Sequence, residues 1–235
     1  MAVTAGMGSF DPDRIAALRG RTGRSAVPRP PGSSSAVKLL WQRAIALTLG
    51  FVALLYGIEG VDTLANHQLD NAGVQPRKLD GLEGIAFAPV LHGDWAHLIG
   101  NTVPVLVLGL LTLLTGIGRG LAATAIIWIL GGAGQWLTGD TGSVHLGASV
   151  LVFGWLTYLI SRGWFARNPW QILLGVVVGL LYGSILWGVL PGQPGISWQG
   201  HLFGALGGVV AAWVLSGNER RHRRGDNVGR LASSG

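Results

Sequence analysis

The sequence HLGASVLVFG, residues 145–154, places a single hydroxyl in an apolar run. Ser149 has Gly147 two positions before it and four apolar residues directly after it. A serine in an apolar helix usually donates to its own carbonyl four residues earlier, so Ser149 by itself indicates packing. Its hydroxyl becomes a nucleophile when a neutral imidazole within hydrogen-bond reach can accept the proton. The chemistry therefore depends on which histidines the fold brings to Ser149.

His201, in the sequence WQGHLFGALGG, is the first candidate for that base. No carboxylate lies in the apolar segments around Ser149 and His201, so the pair would act as a dyad and another group would orient the imidazole. Phe153 lies four residues after Ser149, on the same helix face, where its ring could pack against His201. Ser149 and His201 are therefore candidates for a nucleophile and its base.

Small residues recur every four positions beside His201, at Gly200, Gly204 and Gly208. Such stripes permit close contact between membrane helices, which a serine and an imidazole on separate helices need. The same stripe is common where helices merely pack, so it does not indicate a site by itself.

His97 and Asn101 are separated by four residues and share a helix face. Their N–H groups are hydrogen-bond donors, and the backbone N–H of Ser149 is free if Ser149 lies in the first turn of a helix. Donors aimed at a developing oxyanion are worth about 3 kcal/mol each. These three groups are therefore candidate donors for an oxyanion hole.

A metal site is the alternative use of the histidines. His92, His97, His145 and His201 supply imidazoles, but neither a cysteine nor a carboxylate accompanies them. His92 and His97 are five residues apart and do not share a helix face. We therefore expect neither a metal ion nor another cofactor at this site.

The composition indicates a membrane protein. Of the 235 residues, 49% are apolar and only 12% are charged, and the mean hydropathy is +0.45. A soluble domain would carry about a quarter charged residues. The chain has no cysteine, which excludes disulfides and thiolate chemistry. An isoelectric point near 10.7 is also found in nucleic-acid-binding proteins, but the positive charge lies in tails and short loops, so nucleic acid is not an expected partner.

Six segments are predicted to span the bilayer as helices, since a span needs roughly 20 mainly apolar residues. They cover 39–60, 96–115, 119–138, 147–161, 169–190 and 198–216. Fifteen of the 17 basic residues then fall on one side, which the positive-inside rule assigns to the cytoplasm with both termini. The predominance of arginine and the short tails favour a bacterial plasma membrane.

Three parts are expected along the chain. Residues 1–37 are polar and predict a disordered cytoplasmic tail, residues 38–216 form the membrane domain, and residues 217–235 form a basic cytoplasmic tail. Within the membrane domain, the long loop 61–95 is extracytoplasmic and has enough apolar residues to form structure of its own.

The fourth predicted span is short. Its fifteen residues rise about 22 Å, less than the ~30 Å hydrocarbon core, so it is predicted to begin inside the membrane at Gly147. Water would cover the gap from the extracytoplasmic side. This topology places four intramembrane polar groups at one depth, and such groups are usually functional. They are His97, Asn101, Ser149 and His201.

Three motifs in order resemble those of the rhomboid intramembrane serine proteases. HGDWAHLIGN is similar to the family's His-x4-His-x3-Asn signature, GAS to its Gly-x-Ser motif, and GHLFGALGG to its His-x2-Gly-x3-Gly helix. The resemblance covers residues 80–216, but Val150 stands where the family usually has glycine, and the loop before span 2 has no Trp-Arg pair. The motifs fall on His92, His97, Asn101, Gly147, Ser149, His201, Gly204 and Gly208.

The resemblance implies a six-helix bundle that cleaves transmembrane proteins with Ser149 as nucleophile and His201 as base. It assigns His97, Asn101 and the Ser149 N–H to the oxyanion hole, and Phe153 to the support of the histidine. Two alternatives stay open: a catalytically silent relative that binds membrane helices, which Val150 supports, and a transporter. A transporter is disfavoured because no charged residue lies deep in spans 2 to 6. The sequence leaves substrate and oligomeric state open.

Overall fold

The computed structural model describes residues 33–193 and 195–217, and this part of the chain consists of helices with no strand. The chain consists of two compact units, residues 1–39 and 40–235. Of the first unit, the structure describes only residues 33–39, which form the start of the first helix. The predicted tails, 1–37 and 217–235, lie almost entirely outside the described residues. The helices are α1 (Ser33–Leu64), α2 (Gly84–Phe87), α3 (Trp95–Leu114), α4 (Ile117–Thr138), α5 (Ser149–Ala166), α6 (Pro169–Tyr182) and α7 (Trp198–Leu215).

Five of these helices are long and apolar enough to cross a membrane, which confirms the predicted all-helical membrane fold. They are α1, α3, α4, α6 with the 3-10 turns that extend it to Val189, and α7. The fourth predicted span, α5, is not among them. The structure thus supports five spans by length and composition.

The limits predicted for the fourth span are wrong at both ends. The helix begins at Ser149 and ends at Ala166, where residues 147 and 161 were expected. The pair Arg162–Gly163 resembles a loop in the sequence, but Arg162 is buried and its guanidinium lies 5.7 Å from the centre of the Tyr158 ring. The helix therefore has 18 residues and rises about 27 Å.

Helix α5 is the centre of the bundle, with 12 of its 18 residues buried. It contacts α7 so closely that a Cβ placed on Gly208 would collide with the backbone carbonyl of Gly154. The Thr157 hydroxyl donates to the Ala205 carbonyl across this contact, at 2.7 Å. Backbone-to-backbone packing of this kind needs glycine on both helices.

The loop between α1 and α3, residues 65–94, is folded against the bundle. It contains α2 and three single 3-10 turns. The indole nitrogens of Trp128 and Trp136 in α4 donate to its Ile85 and Lys78 carbonyls, at 2.7 and 2.8 Å. Val74, which is fully buried, exchanges two backbone hydrogen bonds with His145 of the segment that leads to α5. The loop therefore supports the residues directly before Ser149.

The helix contact predicts a strong difference between two glycine substitutions. Gly208→Ala is expected to lower the midpoint of thermal unfolding, because the added methyl has no room, and overpacking costs about 1–3 kcal/mol. Gly57→Ala in α1 is the matched control, since nothing lies within 4 Å of its added Cβ. Equal midpoints for the two full-length variants in detergent would contradict the packing.

Candidate active site

Ser149 and His201 meet at the start of two helices. Ser149 is the first residue of α5, His201 is the fourth of α7, and the Ser149 Oγ lies 2.9 Å from the His201 Nε2. The other ring nitrogen, Nδ1, lies 2.9 Å from the Gly188 carbonyl oxygen. A carbonyl only accepts, so this contact assigns the proton to Nδ1 and leaves Nε2 free to accept the serine proton.

Phe153 and Gly188 hold the imidazole in place. The Phe153 ring stacks on His201 with centroids 4.0 Å apart and an angle of 11° between the planes. A Cβ on Gly188 would lie 2.8 Å from Phe153 Cζ and 3.1 Å from His201 Nδ1. Gly188 thus gives the orienting acceptor and the space for both rings. Sequence reasoning missed it because a backbone carbonyl carries no sequence signal.

Gly147 places the His97 ring beside Ser149. Its φ of +125° is favoured only by glycine, and an added Cβ would lie 2.6 Å from His97 Cε1. The Gly147 N–H donates to the Ala88 carbonyl at 2.8 Å, which ties this turn to the loop before α3. The glycine therefore allows both the turn and the close approach of the ring.

The three predicted oxyanion donors line one cavity with the dyad. Asn101 donates one amide hydrogen to the His97 carbonyl at 3.1 Å, and an amide nitrogen carries a second. The Ser149 N–H has no acceptor among the described residues, as expected in a first helical turn. The cavity is open and has a volume of about 1140 Å³; its lining includes His97, Asn101, Ser149, Phe153, Gly188 and His201.

His92 supports the turn before Ser149. It is buried, and its Nε2 accepts a hydrogen bond from the Ala148 N–H at 3.3 Å. Its ring lies edge-on to the His97 ring, with centroids 5.1 Å apart. Burial, with a smaller contribution from His97, lowers the pKa of His92 to about 4. His92 thus remains neutral and able to accept at neutral pH.

The remaining histidine of the metal alternative, His145, has its own partner. Its Nε2 lies 2.8 Å from the Ser143 hydroxyl, and burial lowers its pKa. The loop side of the site also contains residues that sequence reasoning missed, the helix caps. Asp94 accepts from the His97 N–H at 2.7 Å, and Ser197 accepts from the Gly200 N–H at 3.4 Å. Each lies directly before the first residue of an observed helix, where capping residues are common.

Val150, the departure from the usual glycine, lies away from the cavity. Its side chain is buried, and its Cγ2 is directed at Gly131 of α4 and Gly204 of α7. Any added Cβ on Gly131 would collide with it. Two glycines on neighbouring helices thus provide the space that the valine occupies.

An all-helical membrane protein with a serine–imidazole pair in an open cavity is the class that fold and site define. The family model described as Rhomboid domain matches residues 81–218, which confirms the predicted resemblance. The chain belongs to the rhomboid family, whose members are generally serine proteases but include inactive homologues.

Mycobacterial relatives cover most of the chain. Uncharacterized proteins of Mycobacterium bovis and Mycobacterium tuberculosis are each 50% identical over 210 residues, which is 86% of this chain and 86% of theirs. An uncharacterized protein of Mycobacterium leprae is 47% identical over 201 residues, 82% of this chain and 80% of its own. No solved structure gives a significant match.

Restoring the usual glycine at Val150 is expected to weaken the fold and leave the cavity unchanged. Val150→Gly removes a buried side chain at a cost of about 1–3 kcal/mol and adds about 1 kcal/mol for glycine in a helix. The exposed Val177→Gly of α6 is the control, since it loses only helix propensity. Thermal unfolding in detergent compares the two, and equal losses of stability would contradict the buried position of Val150.

The neutral state of His92 predicts a pH dependence of stability. An unfolded histidine titrates near 6.5, whereas folded His92 titrates near 4. Between these values the unfolded chain binds the extra proton, so stability falls as the pH is lowered from 6.5 towards 4, by at most about 3 kcal/mol from this residue.

His92→Gln isolates that contribution. Its side-chain oxygen can still accept from the Ala148 N–H but does not titrate, so thermal unfolding from pH 7.5 to 4 should depend less on pH than in the wild type. Subtracting one curve from the other cancels the contributions of the other titrating groups, which both proteins share. Parallel curves would show that folded His92 binds its proton as readily as the unfolded chain does.

Proposed function

We propose that this protein is an intramembrane serine protease that hydrolyses peptide bonds in or near the transmembrane segments of other proteins. The observation that carries the proposal is the 2.9 Å hydrogen bond between the Ser149 hydroxyl and His201, with the His201 proton held at the Gly188 carbonyl. A serine becomes a competent nucleophile when a correctly oriented imidazole accepts its proton. A dyad without carboxylate is sufficient here because Gly188 and Phe153 orient the ring.

The reaction follows from these contacts. The Ser149 Oγ attacks the carbonyl carbon of the peptide bond, and His201 Nε2 accepts the hydroxyl proton. Negative charge on the carbonyl oxygen is stabilised by the Ser149 N–H and by donors from His97 and Asn101. His201 then donates the proton to the leaving amine. Water hydrolyses the acyl-enzyme with His201 again as base.

The position of the cavity indicates on which side of the membrane the proposed reaction takes place. The cavity lies at the N-terminal ends of α3, α5 and α7, beside the loop before α3. We assign α5 as a sixth span, which places both termini in the cytoplasm and the cavity on the opposite side. Because a helical peptide bond is shielded by its own backbone, substrates with small or helix-weakening residues near the outer surface should be cleaved best.

Ser149→Ala tests the proposal. The full-length protein is purified in detergent and given a fluorescent transmembrane substrate, and in parallel a fluorophosphonate probe. Loss of the nucleophile should abolish probe labelling and lower cleavage by at least about 1000-fold. Ser161→Ala, on the same helix, removes a hydroxyl that bonds only to the Thr157 carbonyl and should leave both signals unchanged.

The outcomes separate the competing functions. Equal cleavage or labelling by wild type and Ser149→Ala would refute the assignment of the nucleophile. A wild-type protein that is folded but neither labelled nor active, and that retains transmembrane peptides, would instead be a silent rhomboid relative. The position of Val150 does not favour that function, because the valine does not enter the cavity.

A further inference from the structure

A second group of ionisable side chains lies at the end of α1 and in the turn that follows it. Asp62 is in the last turn of the helix, and His67 and Asp70 follow within eight residues. Each of these three side chains has a possible metal-ligand atom, and these atoms all lie within 4.8 Å of one another. The His67 Nδ1 is 3.4 Å from one oxygen of Asp62 and 3.9 Å from one oxygen of Asp70.

Glu59 adds a fourth ionisable group that hydrogen bonding does not satisfy. It lies one turn before Asp62 on the same helix, is only 1% exposed, and neither of its carboxylate oxygens has a hydrogen-bond partner. Its electrostatic neighbours are Asp62, Asp70, His67 and, from the start of α3, Asp94. A buried carboxylate without a partner is costly, so this one indicates a missing ligand.

The charges of the cluster do not balance. One oxygen of Asp62 accepts from the Leu69 N–H at 2.7 Å, but its other oxygen and one of Asp70 are buried without a hydrogen-bond partner. No lysine or arginine in the described part of the chain forms an ion pair with these acids or with Glu59. Even a protonated His67 would neutralise only one of the three carboxylates. Buried like charges of this kind are stable only with a cation or with bound protons.

We propose that Asp62, His67 and Asp70 bind one divalent transition-metal ion, with Zn²⁺ as the preferred ion, and that this ion also balances the charge of the neighbouring buried Glu59. An imidazole among carboxylates favours Zn²⁺ over Ca²⁺ and Mg²⁺, which prefer oxygen alone. Ligand atoms about 2.0–2.1 Å from a tetrahedral Zn²⁺ lie about 3.3 Å from one another. The spacings of 3.4 and 3.9 Å at His67 are close to that value, so small side-chain movements complete the coordination.

The backbone of the turn directs His67 to the acids. Asn66 and His67 have φ values of +54° and +58°, which are uncommon outside glycine, and the His67 N–H donates to the Asp62 carbonyl at 2.9 Å. The Asp70 carbonyl accepts from the Gly73 N–H at 3.0 Å, directly before the residue that pairs with His145. The ion would therefore fix the base of the loop that supports the turn before Ser149. Asp70 also lines the cavity that contains Ser149 and His201, but metal binding at the cluster does not depend on the activity of the dyad.

Metal binding by the full-length protein tests this inference. The protein in detergent is stripped with EDTA, dialysed against Zn²⁺, and measured for bound metal and for thermal unfolding. We expect about one Zn²⁺ per chain and a rise in the unfolding midpoint with Zn²⁺ concentration, since a ligand of the folded state stabilises it. Ca²⁺ and Mg²⁺ at equal concentration should give a smaller rise.

Two substitutions locate the ion. His67→Asn suits the left-handed backbone at a partly exposed position, and Asp62→Asn removes a buried charge; each should weaken Zn²⁺ binding by at least about ten-fold. Asp80→Asn, an exposed acid of the same loop, is the matched control and should bind as the wild type does. If Asp62→Asn fails to fold, Zn²⁺ binding by His67→Asn alone tests the location of the ion.

Two results would overturn the inference. The first is no retained Zn²⁺ together with no change in the unfolding midpoint. The second is equal Zn²⁺ binding by His67→Asn and the control, which would place the ion elsewhere on the chain.

Discussion

The close approach of α5 and α7 is the constraint on which the rest of the structure depends. Apolar burial gives little driving force between helices in lipid, so packing and hydrogen bonds must hold them together. Here the backbones meet at Gly154 and Gly208, and the Thr157 hydroxyl bonds across the contact. A shift of even 1 Å would break a hydrogen bond of 2.9 Å between Ser149 and His201. The glycines therefore allow the helix spacing on which the Ser149–His201 distance depends.

This constraint explains how a valine is accommodated beside the serine. Val150 lies at the junction of three helices, where it faces Gly131 and Gly204. A glycine at position 150 of α5 would leave space between the helices. Here Gly131 of α4 leaves that space instead, and the Val150 side chain fills it. Packing depends on the sum of the side chains at a contact and not on any single one, since interiors are close-packed. A motif position read alone thus says little about whether the helices can approach.

Some parts of the structure were predictable from the sequence and others were not. Ser149 and His201 could be found because each is a polar group in an apolar segment, which is rare and costly in a membrane. The end of α5 could not, because Arg162 is charged in sequence but buried beside Tyr158. Nor could Gly188, whose contribution is a carbonyl oxygen that every residue possesses. Local composition predicts the elements, whereas tertiary contacts decide the limits of a helix and the use of its backbone.

His201 and Ser149 are held by different means. His201 lies in a helix packed along its length, and its ring is fixed by Gly188 and Phe153, which do not titrate. The turn before Ser149 instead depends on the loop, through the paired backbone of His145 and the neutral ring of His92. The 2.9 Å contact between Ser149 and His201 therefore depends on two separate supports, the packing of α7 and the contacts of the loop. The loop before α3 is therefore part of the support of the candidate site, although it contains neither Ser149 nor His201.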